Sequence, residues 1–85
     1  MKGTIIDVRS HAEFMGGHVA GSINIPLQEI GLKINDIKEM EQPVILCCAS
    51  GMRSGQAQSI LSSRGIKCEN GGSWMSVNFQ VAESK

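Results

Sequence analysis

The most restrictive feature of this 85-residue chain is the run Val44-Ile45-Leu46-Cys47, which passes directly into Cys48-Ala49-Ser50-Gly51-Met52-Arg53-Ser54. Consecutive apolar residues leave no polar side, so a strand built from them must be covered on both faces. That places it inside a parallel sheet, whose strands are joined by crossover connections that are usually helical. A helix is expected just downstream, with Ser54 as N-cap, Ala57, Ile60 and Leu61 on one face, and Gly65 closing it.

The rest of the chain repeats this rhythm. Thr4-Ile5-Ile6-Asp7-Val8 is a β-branched strand candidate, and Ser10-His11-Ala12-Glu13 after it has the spacing of a capping box. Gly16-Gly17 ends that first helix, Ser22-Ile23-Asn24-Ile25 reads as a strand, and Pro26 suits the first turn of another helix. Leu27, Ile30, Ile34 and Ile37 form one apolar helical face, with a break expected near Asn35-Asp36. Ile66-Lys67-Cys68-Glu69 is a last short strand, ended by Asn70-Gly71-Gly72. The tail from Ser76 to Lys85 is compatible with either a short helix or a frayed end. Strands alternating with helices predict an α/β fold, a small parallel sheet flanked by helices on both faces, in one domain over residues 1–85. At 9.1 kDa such a chain exposes about 4,900 Å² folded against about 13,000 Å² unfolded, which supports one modest core.

Charge narrows the function. Eight Lys+Arg balance eight Asp+Glu, so there is no basic excess to release counterions from nucleic acid or to hold an anionic bilayer. With Phe14, Trp74 and Phe79 as the aromatic residues, a base-stacking platform is not expected either. No apolar run is long enough for a membrane span, and the start of the chain reaches Asp7 too soon for a secretory leader. Three cysteines, an odd number without C-x-x-C spacing, suggest neither a disulfide framework nor a zinc site. A reducing, cytoplasmic setting is expected.

In α/β sheets, ligands collect at the carboxyl ends of the strands, where helix N-termini converge. The segment Cys48 to Ser54 lies at such an end, so its backbone N–H groups and the start of the next helix favour an anion. A free cysteine with pKa about 8.5 is about 3% thiolate at pH 7, and lowering that value by two units makes it about three-quarters thiolate. Most free cysteines are small buried hydrophobes. A thiolate at this place is instead a nucleophile, and the amide cradle suits a sulfur anion.

The pattern C-x-x-G-x-R-S at Cys48, Gly51, Arg53 and Ser54 resembles the active-site loop of the rhodanese-like sulfurtransferases. Ile6-Asp7-Val8-Arg9, Glu13-Phe14, Gly17-His18-Val19, Gly21-Ser22 and Asn24-Ile25-Pro26 are similar to that family's opening signature. Asn70-Gly71-Gly72 before Trp74 is similar to its glycine pair before a tryptophan, here with a shorter spacing. The resemblance covers about residues 4 to 74, in the family's order. It implies a sulfane-sulfur transferase in which Cys48 takes the outer sulfur of thiosulfate or a persulfide and passes it to cyanide or a thiol. The amides of Ala49, Ser50, Gly51, Met52, Arg53 and Ser54 would bind the sulfur anion, with no metal or organic cofactor. The partners so implied are a small-molecule sulfur donor and acceptor, or a partner protein in a sulfur relay. Arg53 is open to two roles, attracting an anionic donor or bracing the loop.

A second frame starts at Cys47. C-x5-R-S counted from Cys47 fits the larger loop of cysteine-dependent phosphatases and arsenate reductases. Cys48 is favoured because it puts Gly51 at the third position after the nucleophile, while alternation sends Cys47 to the opposite side of the strand. A persulfide carrier or interaction module without turnover of its own is a third reading. Among the remaining residues, Asp7 and Arg9 are expected to form a structural network with Glu13, His18 to brace a turn, and His11 to be exposed. Cys68 is expected to be a buried structural thiol; as the less favoured alternative it would resolve the Cys48 persulfide.

Overall fold

A computed structural model describes residues 2–83. The chain runs β1 (Thr4–Asp7), α1 (His11–Met15), β2 (Ile23–Asn24), a 3₁₀ turn (Leu27–Leu32), α2 (Ile34–Lys38), β3 (Val44–Cys48), α3 (Met52–Ser62), β4 (Cys68–Ser73) and α4 (Trp74–Glu83). All strand pairs are parallel, in the order β2-β1-β3-β4. The expected sheet with helices on both faces is what forms, and β3 is buried at every position.

Two apolar layers sandwich the sheet. On one side Ile6, Val8, Leu46 and Cys48 pack with Ile30, Ile34, Ile37, Ala57 and Leu61 from the 3₁₀ turn, α2 and α3. On the other, Ile45 and Cys47 pack with Val19 and with Val77 of α4. The accessible surface of 4888 Å² matches the area that scaling assigns to one filled core of this mass.

Several boundaries differ from those expected. The Leu27–Ile37 face is divided at Lys33 (φ −110°, ψ 15°), ahead of Asn35-Asp36. Leu27–Ile30 and Ile34–Ile37 are both three-residue spacings, which suit a tight 3₁₀ turn as well as an α-helix. β4 does not end at Asn70-Gly71-Gly72 but runs through it to Ser73, with a register shift opposite Leu46/Cys47. Gly71 is needed there for close packing: a Cβ on it would lie 2.6 Å from Val77 Cγ2 and 3.1 Å from Ile45 Cγ2. The tail is the helix α4, which begins at Trp74 directly after the strand. The last two residues of the expected tail, Ser84 and Lys85, lie outside the described residues.

Candidate active site

The site is assembled where β3 meets α3. Because successive strand side chains alternate, the adjacent cysteines are delivered to opposite layers. Cys47 packs with Val19, Ile45 and Val77, and Cys48 lies on the α3 side with Leu46 and Ala57. Helix α3 starts one turn earlier than the Ser54 cap predicts. Its N-cap is Gly51, in the left-handed region (φ 100°, ψ −9°), and its first residue is Met52. Left-handed backbone costs a residue with a Cβ roughly 1–2 kcal/mol, and glycine avoids that cost. The turn directs the Gly51 N–H onto Cys48 Sγ at 3.0 Å, and the Ser54 hydroxyl, now in the first helical turn, sits 3.4 Å from the same sulfur.

These donors decide the chemistry of Cys48. Burial alone pushes its thiol up, but the Ser54 hydroxyl and the amides of Ser54, Gly51 and Ser50 outweigh it and bring the thiol down to about 7. About half of it is then thiolate at pH 7. Cys47 has no such compensation. Burial first, then the negative charge of Asp7, pushes it up to about 12 against a smaller opposing effect of Arg9. Of the two thiols, the one suited to nucleophilic chemistry near neutrality is Cys48.

The expected loop residues divide into groups. Gly51, Ser50 and Ser54 are brought to the sulfur. Ala49 and Ser50 have exposed side chains, and that of Met52 is 76% exposed at the rim. Arg53 makes a two-point pair with Glu13, 2.8 and 3.0 Å long, the geometry of a brace, while its charge also interacts with Cys48. Glu13 is held down to about 2 by Arg53 and then by Ser10. It also completes the capping box of α1 with Ser10, as its spacing predicts. One side chain therefore ties α1 to the start of α3.

Asp7 and Arg9 form a buried ion pair at 2.8 Å, separate from Glu13. The Arg9 guanidinium also donates to the Gly17 carbonyl at 2.6 Å and lies 4.9 Å from the Trp74 ring centroid. It thus links β1, the loop after α1, and α4. His18 stacks on Phe14 and bonds its carbonyl at 2.7 Å, a turn brace as expected, and His11 is exposed, 3.4 Å from Asn24 Oδ1.

Cys68 is half-buried, not buried as expected, since it opens the edge strand β4; it pairs in register with Val44, whereas Cys48 pairs with Ser73. Four residues of strand, about 13 Å at 3.3 Å per residue, separate the two thiols. A disulfide needs Cα atoms within about 7 Å, so Cys68 is not placed to resolve Cys48. Among the described residues no cluster of three His, Cys, Asp or Glu side chains is arranged to hold a metal ion.

The residue that sequence reading missed is Asn70. It accepts from the Ser54 hydroxyl at 2.6 Å and from the Gly72 amide at 3.0 Å, and donates to the Gly51 carbonyl at 3.0 Å. Reading Asn70-Gly71-Gly72 as a turn concealed it. Treating the segment as a strand beside β3 would have set Asn70 opposite Leu46, near the Cys48 loop.

The sequence model of the family described as "Rhodanese-like domain" matches residues 1–77. The chain belongs to the rhodanese-like family. Among curated relatives, it is 42% identical over 64 residues to the uncharacterised protein YqhL of Bacillus subtilis, covering 75% of this chain and 50% of that protein. It is 41% identical over 69 residues to the thiosulfate sulfurtransferase PspE of Escherichia coli, covering 79% and 66% respectively. The chain thus spans about half to two-thirds of the length of these relatives. A solved structure, a rhodanese with anions from E. coli, superposes with a TM-score of 0.77 at 37% identity, covering 86% of this chain and 88% of that one.

Proposed function

We propose that this rhodanese-like protein is a sulfurtransferase in which Cys48 carries a persulfide. The Cys48 thiolate attacks the outer sulfur of thiosulfate, breaking the S–S bond and releasing sulfite, or takes the sulfane sulfur of a persulfide and releases its thiol. A cyanide or thiolate acceptor then attacks the outer sulfur of Cys48–S–S⁻, giving thiocyanate or a new persulfide and returning the Cys48 thiolate. The two half-reactions predict ping-pong kinetics. A reducing, cytoplasmic setting belongs to the same proposal, because the cycle needs Cys48 as a free thiol.

The observation that carries this reading is the Gly51 N–H held 3.0 Å from Cys48 Sγ, with the Ser54 hydroxyl 3.4 Å from the same sulfur. Preorganised amides stabilise an anion with no reorganisation at the moment of reaction. Similarity to a thiosulfate sulfurtransferase over most of the chain supports the choice of sulfane sulfur as substrate. A phosphatase or arsenate-reductase frame counted from Cys47 is disfavoured, since that thiol faces the α4 layer and is pushed up to about 12.

The test is the intact mass after incubation with thiosulfate. The protein should gain one sulfur, the gain should map to the peptide containing Cys48, and cyanide should remove it with release of thiocyanate. No mass gain with thiosulfate or a low-molecular-weight persulfide would overturn the proposal.

A further inference from the structure

The Ser54 hydroxyl has one proton and two neighbours that can accept it. Asn70 Oδ1 lies 2.6 Å away and Cys48 Sγ lies 3.4 Å away. The orientation of the Asn70 amide is fixed by its other contacts: the Gly72 N–H requires an oxygen facing it, and the Gly51 carbonyl requires an NH₂. The atom facing Ser54 is therefore an acceptor, and the hydroxyl donates to it. With its only proton committed to Asn70, Ser54 can meet Cys48 only by accepting from the S–H. That arrangement of donors and acceptors suits the neutral thiol.

We propose that Asn70 is a positioning residue that tunes Cys48 by competing with it for the Ser54 proton. When Cys48 ionises, its own proton leaves to solvent and the sulfur becomes purely an acceptor. The Ser54 O–H then turns from Asn70 Oδ1 to Sγ, while the Gly72 amide keeps Asn70 Oδ1 occupied. No bond to Ser54 breaks covalently and its proton is only redirected. Asn70 has a second, opposite influence through the Gly51 carbonyl, because it anchors the residue whose N–H holds the sulfur at 3.0 Å. Only the first influence passes through Ser54. Asn70 thus stabilises the resting thiol through Ser54 while bracing the loop that receives the thiolate.

The charged and titratable groups around this network lie on several elements. Arg53 of α3 is held by Glu13 of α1, and Asp7 of β1 and Arg9 just after it act on Cys47 of β3 beside the site. Glu69 precedes Asn70 on β4 and lines a cavity of about 310 Å³ with Lys2, Ile45 and Gln80. None of these is altered by substitution at Ser54 or Asn70, so their fields are common to both arms of a paired comparison.

This inference rests on Cys48 as the sulfur-bearing nucleophile, but its test reads ionisation alone and is independent of sulfur transfer. The rate of Cys48 alkylation by iodoacetamide, resolved by peptide mass and followed against pH, gives the thiol pKa in four proteins: wild type, Ser54→Ala, Asn70→Ala and the double variant. Ser54→Ala removes a donor to the thiolate and should leave about tenfold less of it at pH 7, a shift of about one pH unit. Asn70→Ala should leave at least threefold more thiolate when Ser54 is present than the same change produces in the Ser54→Ala protein, about the smallest coupling such a cycle resolves. Equal effects in the two backgrounds would reduce Asn70 to a structural brace and overturn the proposal. If Asn70→Ala does not fold, Asn70→Asp keeps the acceptor oxygens and should suppress the thiolate more with Ser54 than without it, and equality there would overturn the proposal in the same way.

Discussion

Cys47 and Cys48 are the same residue type, joined by one peptide bond and both fully buried, yet one thiol is pushed up to about 12 and the other brought down to about 7. That is about a 10⁵-fold difference in ionisation. Burial opposes the charged form in both, and only Cys48 has donors that outweigh it. The difference is what each sulfur meets. Cys47 faces the hydrocarbon of Val19, Ile45 and Val77, while Cys48 is met by peptide N–H groups and a hydroxyl at the start of α3. Side-chain alternation along β3 creates the contrast, and the left-handed turn at Gly51 gives it chemical meaning.

The most direct way to break the contrast is to remove each sulfur in turn. Cys48→Ser should lower thiosulfate:cyanide turnover by about 10³ or more, because hydroxyl is a far weaker nucleophile than thiolate at neutral pH. Cys47→Ser should keep turnover within a few-fold and lose mainly stability. The opposite result would restore the frame counted from Cys47.

A subtler intervention leaves both cysteines and alters the turn. Gly51→Ala adds a Cβ 3.4 Å from Gly72 Cα and places it on left-handed backbone, which favours moving the loop amide off the sulfur. In the unaltered protein the rate of persulfide formation under single-turnover conditions should rise with pH through a midpoint of about 7. In Gly51→Ala that midpoint should move upward, toward Cys47, with several-fold slower reaction at neutral pH. An unchanged midpoint would show that this amide does not set the ionisation of Cys48. The smallest effect is expected at the periphery. Glu13→Gln weakens the tie to Arg53 and should cost a few-fold in kcat/KM with the midpoint nearly unmoved. Because Glu13 is held down to about 2 from an ordinary 4.5, its contribution to stability is complete above about 4.5 and fades as pH falls toward 2. The Gln variant should lack that acid-range slope in thermal melts taken against pH.

Much of this was legible in the residues themselves. The apolar run of β3, the Ser10–Glu13 capping box and the division of the cysteines between two faces follow from local periodicity and short-range hydrogen bonding. What escaped depends on contacts between segments far apart in sequence. Ser54 reads as a helix cap by composition, but Gly51, on left-handed backbone and packed against Gly72 of β4, takes that place. Asn70-Gly71-Gly72 carries the composition of a turn, yet Gly71 is selected by the closeness of Val77. Asn70 gains its part only once β4 is zipped beside β3. The sequence left Arg53 two roles, and its pair with Glu13, forty residues away, is a contact that local pattern does not reveal.

The strand register has a further consequence. With Cys68 at the far end of β4 and Cys47 turned behind the sheet, no thiol of this chain can reach a sulfur parked on Cys48. On the proposed reading, the loaded protein cannot unload itself by collapsing into an internal disulfide. How long it keeps its cargo is set by how often a visiting nucleophile arrives, so the charged form behaves as a reservoir whose outflow is governed by the concentration and shape of its customers.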